Sequence, residues 1–177
     1  GSLLLLVPAA VTAQRASLWG DEYALAVASV EHYPYSERAH RVLFQVLKRK
    51  GHRDLAFKSL LHTEAILPES IPIKMIIFIQ SCLFGLDTHN RFDELTALLK
   101  SVSFRYIKYE LLKSLVMVVD DKNCIGLDRE SAHVFLESFN QNPSIGEWKG
   151  PRRIISHLHG VLYARENSGK LALNAFL

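Results

Sequence analysis

Pro34 and Pro68 lie 34 residues apart, and each closes a stretch whose apolar residues recur at helical spacing. A proline keeps the residue before it out of the helical region and has no N–H to donate, so a helix ends at or just ahead of it. Two such stops at that separation leave room for two helices and two tight turns, the dimension of one stacked helical hairpin. Between them the marks fall where a hairpin needs them. Leu43 stands where the first helix meets its partner, Gly51 sits at the turn, Ala56 allows close approach in the second helix, and Leu60 packs behind it. A glycine takes the positive φ that ends a helix, and an alanine lets two helix axes come together.

The same rhythm runs along the chain. Helical periodicity predicts segments over about 16–32, 36–50, 53–67, 71–84, 91–102, 105–119, 128–139, 152–166 and 170–177. Ser36 and Asp128 are suited to N-cap the helices that follow them. The segment 71–84 is apolar nearly all round, which marks it as central rather than peripheral. Asp87-Thr88-His89-Asn90 and the run Asn140–Gly146 are rich in turn formers, and Asp120-Asp121-Lys122-Asn123 breaks a helix. No stretch alternates with a period of two for long enough to be a strand.

Carried forward 34 residues, Gly51 falls on Gly85. Near the C-terminus Gly160, Tyr163, Ala172 and Phe176 supply small, aromatic, small and aromatic positions, with Asn167 where the turn glycine would stand. Asparagine is the next best residue for a left-handed turn. With these marks the chain resembles the tetratricopeptide family, closely over Ser36–Pro68 and loosely over Ala16–Leu177; Ser101–Ile145 keeps the hairpin rhythm without the motif. The resemblance implies an all-α right-handed superhelix of about four antiparallel helix pairs, with a concave groove lined by the first helix of each pair. A second resemblance concerns context. An apolar run leading into Thr12–Asp21, then a repeat opening at Tyr33–His40, is similar to the tail of bacterial polytopic membrane proteins that carry tetratricopeptide domains after their last spanning helix, some membrane glycosyltransferases among them. It implies a soluble domain tethered through upstream helices, on the periplasmic side; a cytoplasmic location is the alternative.

Three parts follow from the organisation. Gly1-Ser2 reads as a cloning remnant, 3–15 is an apolar N-terminal segment, and 16–177 is the repeat domain. The run Leu3–Val11 is shorter than the ~20 apolar residues that span a bilayer. It is either a core-packing first helix or the last turns of a membrane helix. A hydrophobic content of 49% with 22% charge fits a packed protein and excludes wholesale disorder. With 21 Lys+Arg against 18 Asp+Glu the net charge is +3, too small to provide the basic stripe that a phosphate backbone demands. Cys82 and Cys124 have apolar neighbours and belong to no C-x-x-C or metal spacing. They read as buried reduced thiols, with a disulfide between them as the alternative.

Candidate chemistry lies on the helix that opens at Ser36. Family geometry directs Arg38, Arg41, Gln45, Lys48 and Arg49 toward the groove, and four of those five are basic. Their spacing puts them on one helix face. A stripe of guanidinium and ammonium groups suits a carboxylate-bearing protein or peptide; the alternative is a solvated face placed where the helix dipole favours cations. The matching positions of the next hairpin, Met75, Ile79, Cys82 and Leu83, are apolar and are expected to be filled by an adjoining helix. His157 and His159 stand roughly 200° apart on a helix and cannot share a metal. Asp120-Asp121 lacks the glycine and glutamate of a calcium loop and reads as a solvated helix end. Trp19 and Trp148 read as packing anchors. There is no G-x-S-x-G, P-loop or dinucleotide fingerprint, so the expectation is a non-catalytic interaction module with no cofactor and no metal.

Overall fold

A computed structural model describes residues 12, 20–101, 109–146 and 149–176. The apolar run Leu3–Val11, Trp19 and Trp148 lie outside the described residues. Among the described residues the only extended feature is one parallel backbone bridge, Asp87 with Ile125; everything regular is helical. The chain divides into two compact units, Gly1–Ile73 and Lys74–Leu177.

In the first unit three helices follow one another: α1 (Glu22–His32), α2 (Glu37–Arg49) and α3 (Arg53–Ile66). Asp21 caps α1 by accepting from the Tyr23 and Ala24 amides, and Ser36 Oγ caps α2 by accepting from Ala39 N. The helices α1 and α3 stop at Tyr33 and Leu67, the residues before Pro34 and Pro68, as the proline rule requires. Gly51 turns α2 into α3 at φ +81°, and a Cβ there would meet nothing within 4 Å. Backbone conformation, not space, demands the glycine. Both α1 and α3 pack on α2, burying Ala39, Phe44, Val46 and Leu47 of α2 with Ala56 and Leu60 of α3.

A buried histidine ties this unit together. His40 Nε2–H donates to the Pro34 carbonyl at 2.7 Å, which fixes the tautomer and leaves Nδ1 facing Thr63 Oγ1 at 3.1 Å. Thr63 is itself buried, and its one hydroxyl hydrogen is shared between two acceptors, His40 Nδ1 and Ser59 O. One imidazole thus joins the α1–α2 turn, α2 and α3. Ser70 Oγ adds a second tie, donating to Glu37 Oε2 at 2.8 Å while accepting from Ile73 N at the start of α4 (Ile71–Leu83).

The second unit holds the remainder of α4, then α5 (His89–Leu99), α6 (Tyr109–Asp120), α7 (Arg129–Asn140), a single turn α8 (Pro143–Gly146), α9 (Lys149–Arg165) and α10 (Gly169–Phe176). Its centre is α7, which packs against α5, α6, α8 and α9. A line of aromatic rings runs through it, Phe78 to Phe92 to Phe135 to Phe139, at centroid distances of 6.0, 5.9 and 5.7 Å. The expected centrality of 71–84 is borne out, since Ile71, Ile73, Met75, Ile76, Ile77, Phe78, Ile79 and Cys82 are all buried. Leu83 departs from that reading: it is 56% exposed. Asp128 caps α7 through the Ser131 amide, and the Ser131 backbone and side-chain hydrogen bonds hold its carboxyl below the ordinary carboxylate range. Asn167 adopts φ 57° in the α9–α10 turn, the left-handed role its position implied. Helix α5 starts at His89, earlier than periodicity predicts, because Asp87 Oδ1 accepts from His89 N.

The cysteines are not reduced thiols. Cys82 and Cys124 form a disulfide, their Cα atoms 4.3 Å apart across 42 residues of sequence. Apolar neighbours signalled burial, which is correct for both residues, but pairing depends on the fold bringing the end of α4 to the α6–α7 turn. The same junction carries the Asp87–Ile125 bridge. It also holds Gly126 at φ +75°, where an added Cβ would come within 2.5 Å of His89 Nε2. Closing a loop of that length removes roughly 4 kcal/mol of unfolded-chain entropy.

Ala56 is 2% exposed in the α2–α3 contact. Replacing it with leucine is expected to cost roughly 1–3 kcal/mol through overpacking, read as a lower urea midpoint at unchanged m-value.

Candidate functional site

The sequence-predicted residues share one face of α2 as expected. Arg38, Gln45, Lys48 and Arg49 are exposed and Arg41 is half-buried. Ser36 sets where the helix begins, and therefore which residues fall on this face. The cations are partly spoken for. Arg41 Nη1 lies 3.3 Å from Glu37 Oε1 one turn earlier, Arg49 pairs with Glu22 of α1, and Lys48 Nζ stands 5.9 Å above the Phe44 ring. Such exposed pairs are worth only a few tenths of a kcal/mol and exchange readily with a competing carboxylate. Beyond the C-terminal end of the face a cleft of about 380 Å³ opens, lined by Tyr23, Leu47, Lys50, His52 and Leu55. Its walls are apolar, with an ammonium and an imidazole among the lining groups. Of the apolar positions proposed for the next hairpin, Met75, Ile79 and Cys82 are buried and offer no surface.

A second polar constellation, which sequence reasoning missed, lies in the second unit. Asp120 was expected in solvent at a helix end, yet its side chain is 0% exposed. A carboxylate at the C-terminus of α6 opposes the helix dipole, and two arginines offset that. Arg129 Nε–H donates to Oδ1, and Arg165 Nε sits 2.9 Å from Oδ2 as an ionic contact without hydrogen-bond alignment. The hydrogen bond to Asp120 holds the Arg129 guanidinium above its ordinary value. Arg165 also donates to Asp121 Oδ1 at 2.5 Å.

Beside this network His133 of α7 meets His159 of α9, with Nδ1 atoms 3.0 Å apart. Tyr163 stacks on His133 at 4.6 Å, and Glu166 Oε1 lies 3.4 Å from His133 Nε2. His159 is held below its ordinary value, chiefly by burial and next by the His133 charge, with Glu137 opposing both. His157 points elsewhere, toward Tyr109, with ring centres 6.2 Å apart. The available sequence signal was the stripe His159, Tyr163, Glu166 at three- and four-residue spacing along α9 and just past its end. Its partners come from α6 and α7, which no local pattern joins.

Chemically, the network sets three carboxylates, Asp120, Asp121 and Glu166, against the two guanidinium groups of Arg129 and Arg165. It clamps α6, α7 and α9. Among the described residues no group of three His, Cys, Asp or Glu side chains is placed to hold a metal ion. No family model, curated protein or solved structure matches this chain.

Removing the buried carboxylate leaves two guanidinium groups without their shared anion. Asp120→Ala is expected to destabilise by about 3 kcal/mol, and Asp121→Ala, at the more exposed neighbour, by no more than about 1 kcal/mol. Paired urea titrations of the two variants check the contrast.

Proposed function

We propose that this chain is an interaction module whose α2 face holds an acidic partner segment. The observation that carries the reading is the alignment of Arg38, Arg41, Gln45, Lys48 and Arg49 along one accessible helix face, leading toward the Tyr23–Leu55 cleft. Carboxylates of the segment displace Glu37 and Glu22 from Arg41 and Arg49, and an apolar side chain at its end fills the cleft. Charge supplies register, and the cleft supplies burial. In this reading the helices pair as about four tetratricopeptide-like hairpins, and α2 lines the groove of its own pair. The positive φ at Gly51 and Gly85 and the small buried Ala56 support that view.

A second reading, favoured by the disulfide, makes the chain an accessory domain serving a membrane-bound glycosyltransferase or ligase from the oxidising side of a bacterial membrane. Cytosolic thiols are kept reduced, whereas periplasmic ones pair. Among the described residues no helix is long and apolar enough to cross a membrane, so tethering in this reading runs through residues upstream of α1.

Two experiments test these readings. The double substitution Arg38→Glu with Arg41→Glu is expected to abolish capture of the partner in pull-downs. Its cost in stability should not exceed about 0.5 kcal/mol, from the lost Glu37–Arg41 pair and the like charges that replace it. Unaltered capture would show the stripe to be solvated surface only. Alkylation of freshly lysed native cells without reductant is expected to leave Cys82 and Cys124 unmodified by mass; full modification would remove the oxidising-side reading.

A further inference from the structure

We propose that His133 and His159 form a proton-operated latch between α7 and α9, closed while one hydrogen bridges their facing Nδ1 atoms and released when both rings carry a charge. The inference stands apart from the docking reading, since it concerns other residues in the other unit.

The geometry selects a proton rather than a metal. The ring centres are 5.3 Å apart, the planes differ by 18°, and the Nδ1 atoms are 3.0 Å apart. The rings therefore meet edge to edge and nearly coplanar, with the two nitrogens lying between the ring centres. Their lone-pair directions oppose each other head on. Two ligands of one metal ion would have to converge on a third point beside that line, and no third ligand is placed there among the described residues. A single N–H between the two atoms satisfies the arrangement as it stands.

The surroundings decide which ring donates. If His133 were the donor, the Nε2–H of His159 would be a buried donor with no partner. If His159 donates, His133 carries its hydrogen on Nε2, which faces Glu166 Oε1 at 3.4 Å. His133 Nε2 makes no aligned hydrogen bond in either arrangement, but here its hydrogen faces a carboxylate, and His159 Nε2 is left as a bare acceptor. The second arrangement is the less costly one, so His159 Nδ1–H donates to His133 Nδ1.

One added proton does not break this bond, because either ring can become the imidazolium and still donate to the other. A second added proton does. Both Nδ1 atoms then bear hydrogens that point at each other, and two positive charges face across 3.0 Å. The groups around the pair are Glu137 and Arg129 on α7, Tyr163, Arg165 and Glu166 along α9 and just past its end, and Asp120 and Asp121 on α6. Helix α10 adds only the exposed Lys170, α8 carries no charge, and α5 meets α7 through Phe92 on Phe135. Asp120 and Asp121 are engaged by Arg129 and Arg165, which leaves Glu137 and Glu166 to moderate the double charge. The charges acting on His159 are those of His133 and Glu137.

The sign follows from the depressed His159. A base held below its ordinary value binds protons less well folded than unfolded. Its contribution to stability is whole above about pH 6.5 and is lost as pH falls through the folded value. The latch is shut near neutrality and opens in mild acid.

Hydrogen exchange of the intact chain between pH 8 and 5, corrected for intrinsic exchange chemistry, tests this. Opening of the facing segments of α7 and α9 is expected to rise by up to about tenfold per pH unit as pH falls from about 6.5 toward the folded value, and to level off below it. In His159→Asn, whose side-chain amide keeps a donor where Nδ1–H stands but does not titrate, that acid-dependent rise should vanish. Equal acid opening in both proteins, or none in wild type, overturns the latch. Nitrogen-15 NMR of wild type at pH 8 gives a readout that needs no variant to fold. One protonated and one bare Nδ1, coupled through the shared hydrogen, is expected; two bare Nδ1 atoms would overturn the proposal equally.

Discussion

An isolated helix of eleven to fourteen residues is marginal in water, and the longer helices of this chain run from 11 to 17 residues. Each therefore depends on what its ends and faces are tied to. In the first unit the tie is His40, which spans three segments with one ring. In the second it is the junction where a disulfide, a backbone bridge and a crowded glycine hold the end of α4 to the α6–α7 turn. Buried Asn142 does the same for α5, donating to the Leu99 carbonyl at its C-terminus. That carbonyl belongs to the last turn, which has no intrahelical partner of its own.

These ties are polar or covalent, and they sit among apolar contacts that supply most of the burial. The aromatic line from Phe78 to Phe139 provides area but little direction, because hydrophobic contact is non-directional. Asp120 provides direction. A carboxylate with no exposure must find its counter-charges, and Asp120 of α6 finds them in Arg129 of α7 and Arg165 of α9. Such a group adds little net stability over an apolar substitute, yet it penalises every packing in which it is left alone.

Local features of the fold were legible in the sequence. Ser36 and Asp128 cap where they should, Pro34 and Pro68 stop helices, and Gly51, Gly85 and Asn167 take the left-handed conformation. Each of these rests on chemistry within four residues. The accessible basic face was legible for the same reason, as a matter of helical spacing. What escaped was non-local. The Cys82–Cys124 bond, the burial of Asp120 and the meeting of His133 with His159 join residues 42, 9 to 45, and 26 positions apart. Composition around each residue says whether it is buried, not what it faces. Asp120 misled because a charged residue in a helix-breaking run is normally a sign of solvent, and its arginines lie on other helices.

The disulfide makes residues 82–124 a covalent ring that contains α5 and α6. Anything that severs the backbone at one place inside that ring opens it without dividing the molecule. The two pieces remain one particle, each still carrying its share of the packing around Phe92 and Leu115. A protease in the surroundings must therefore cut twice within the ring, or once outside it, before any part of the chain can drift away.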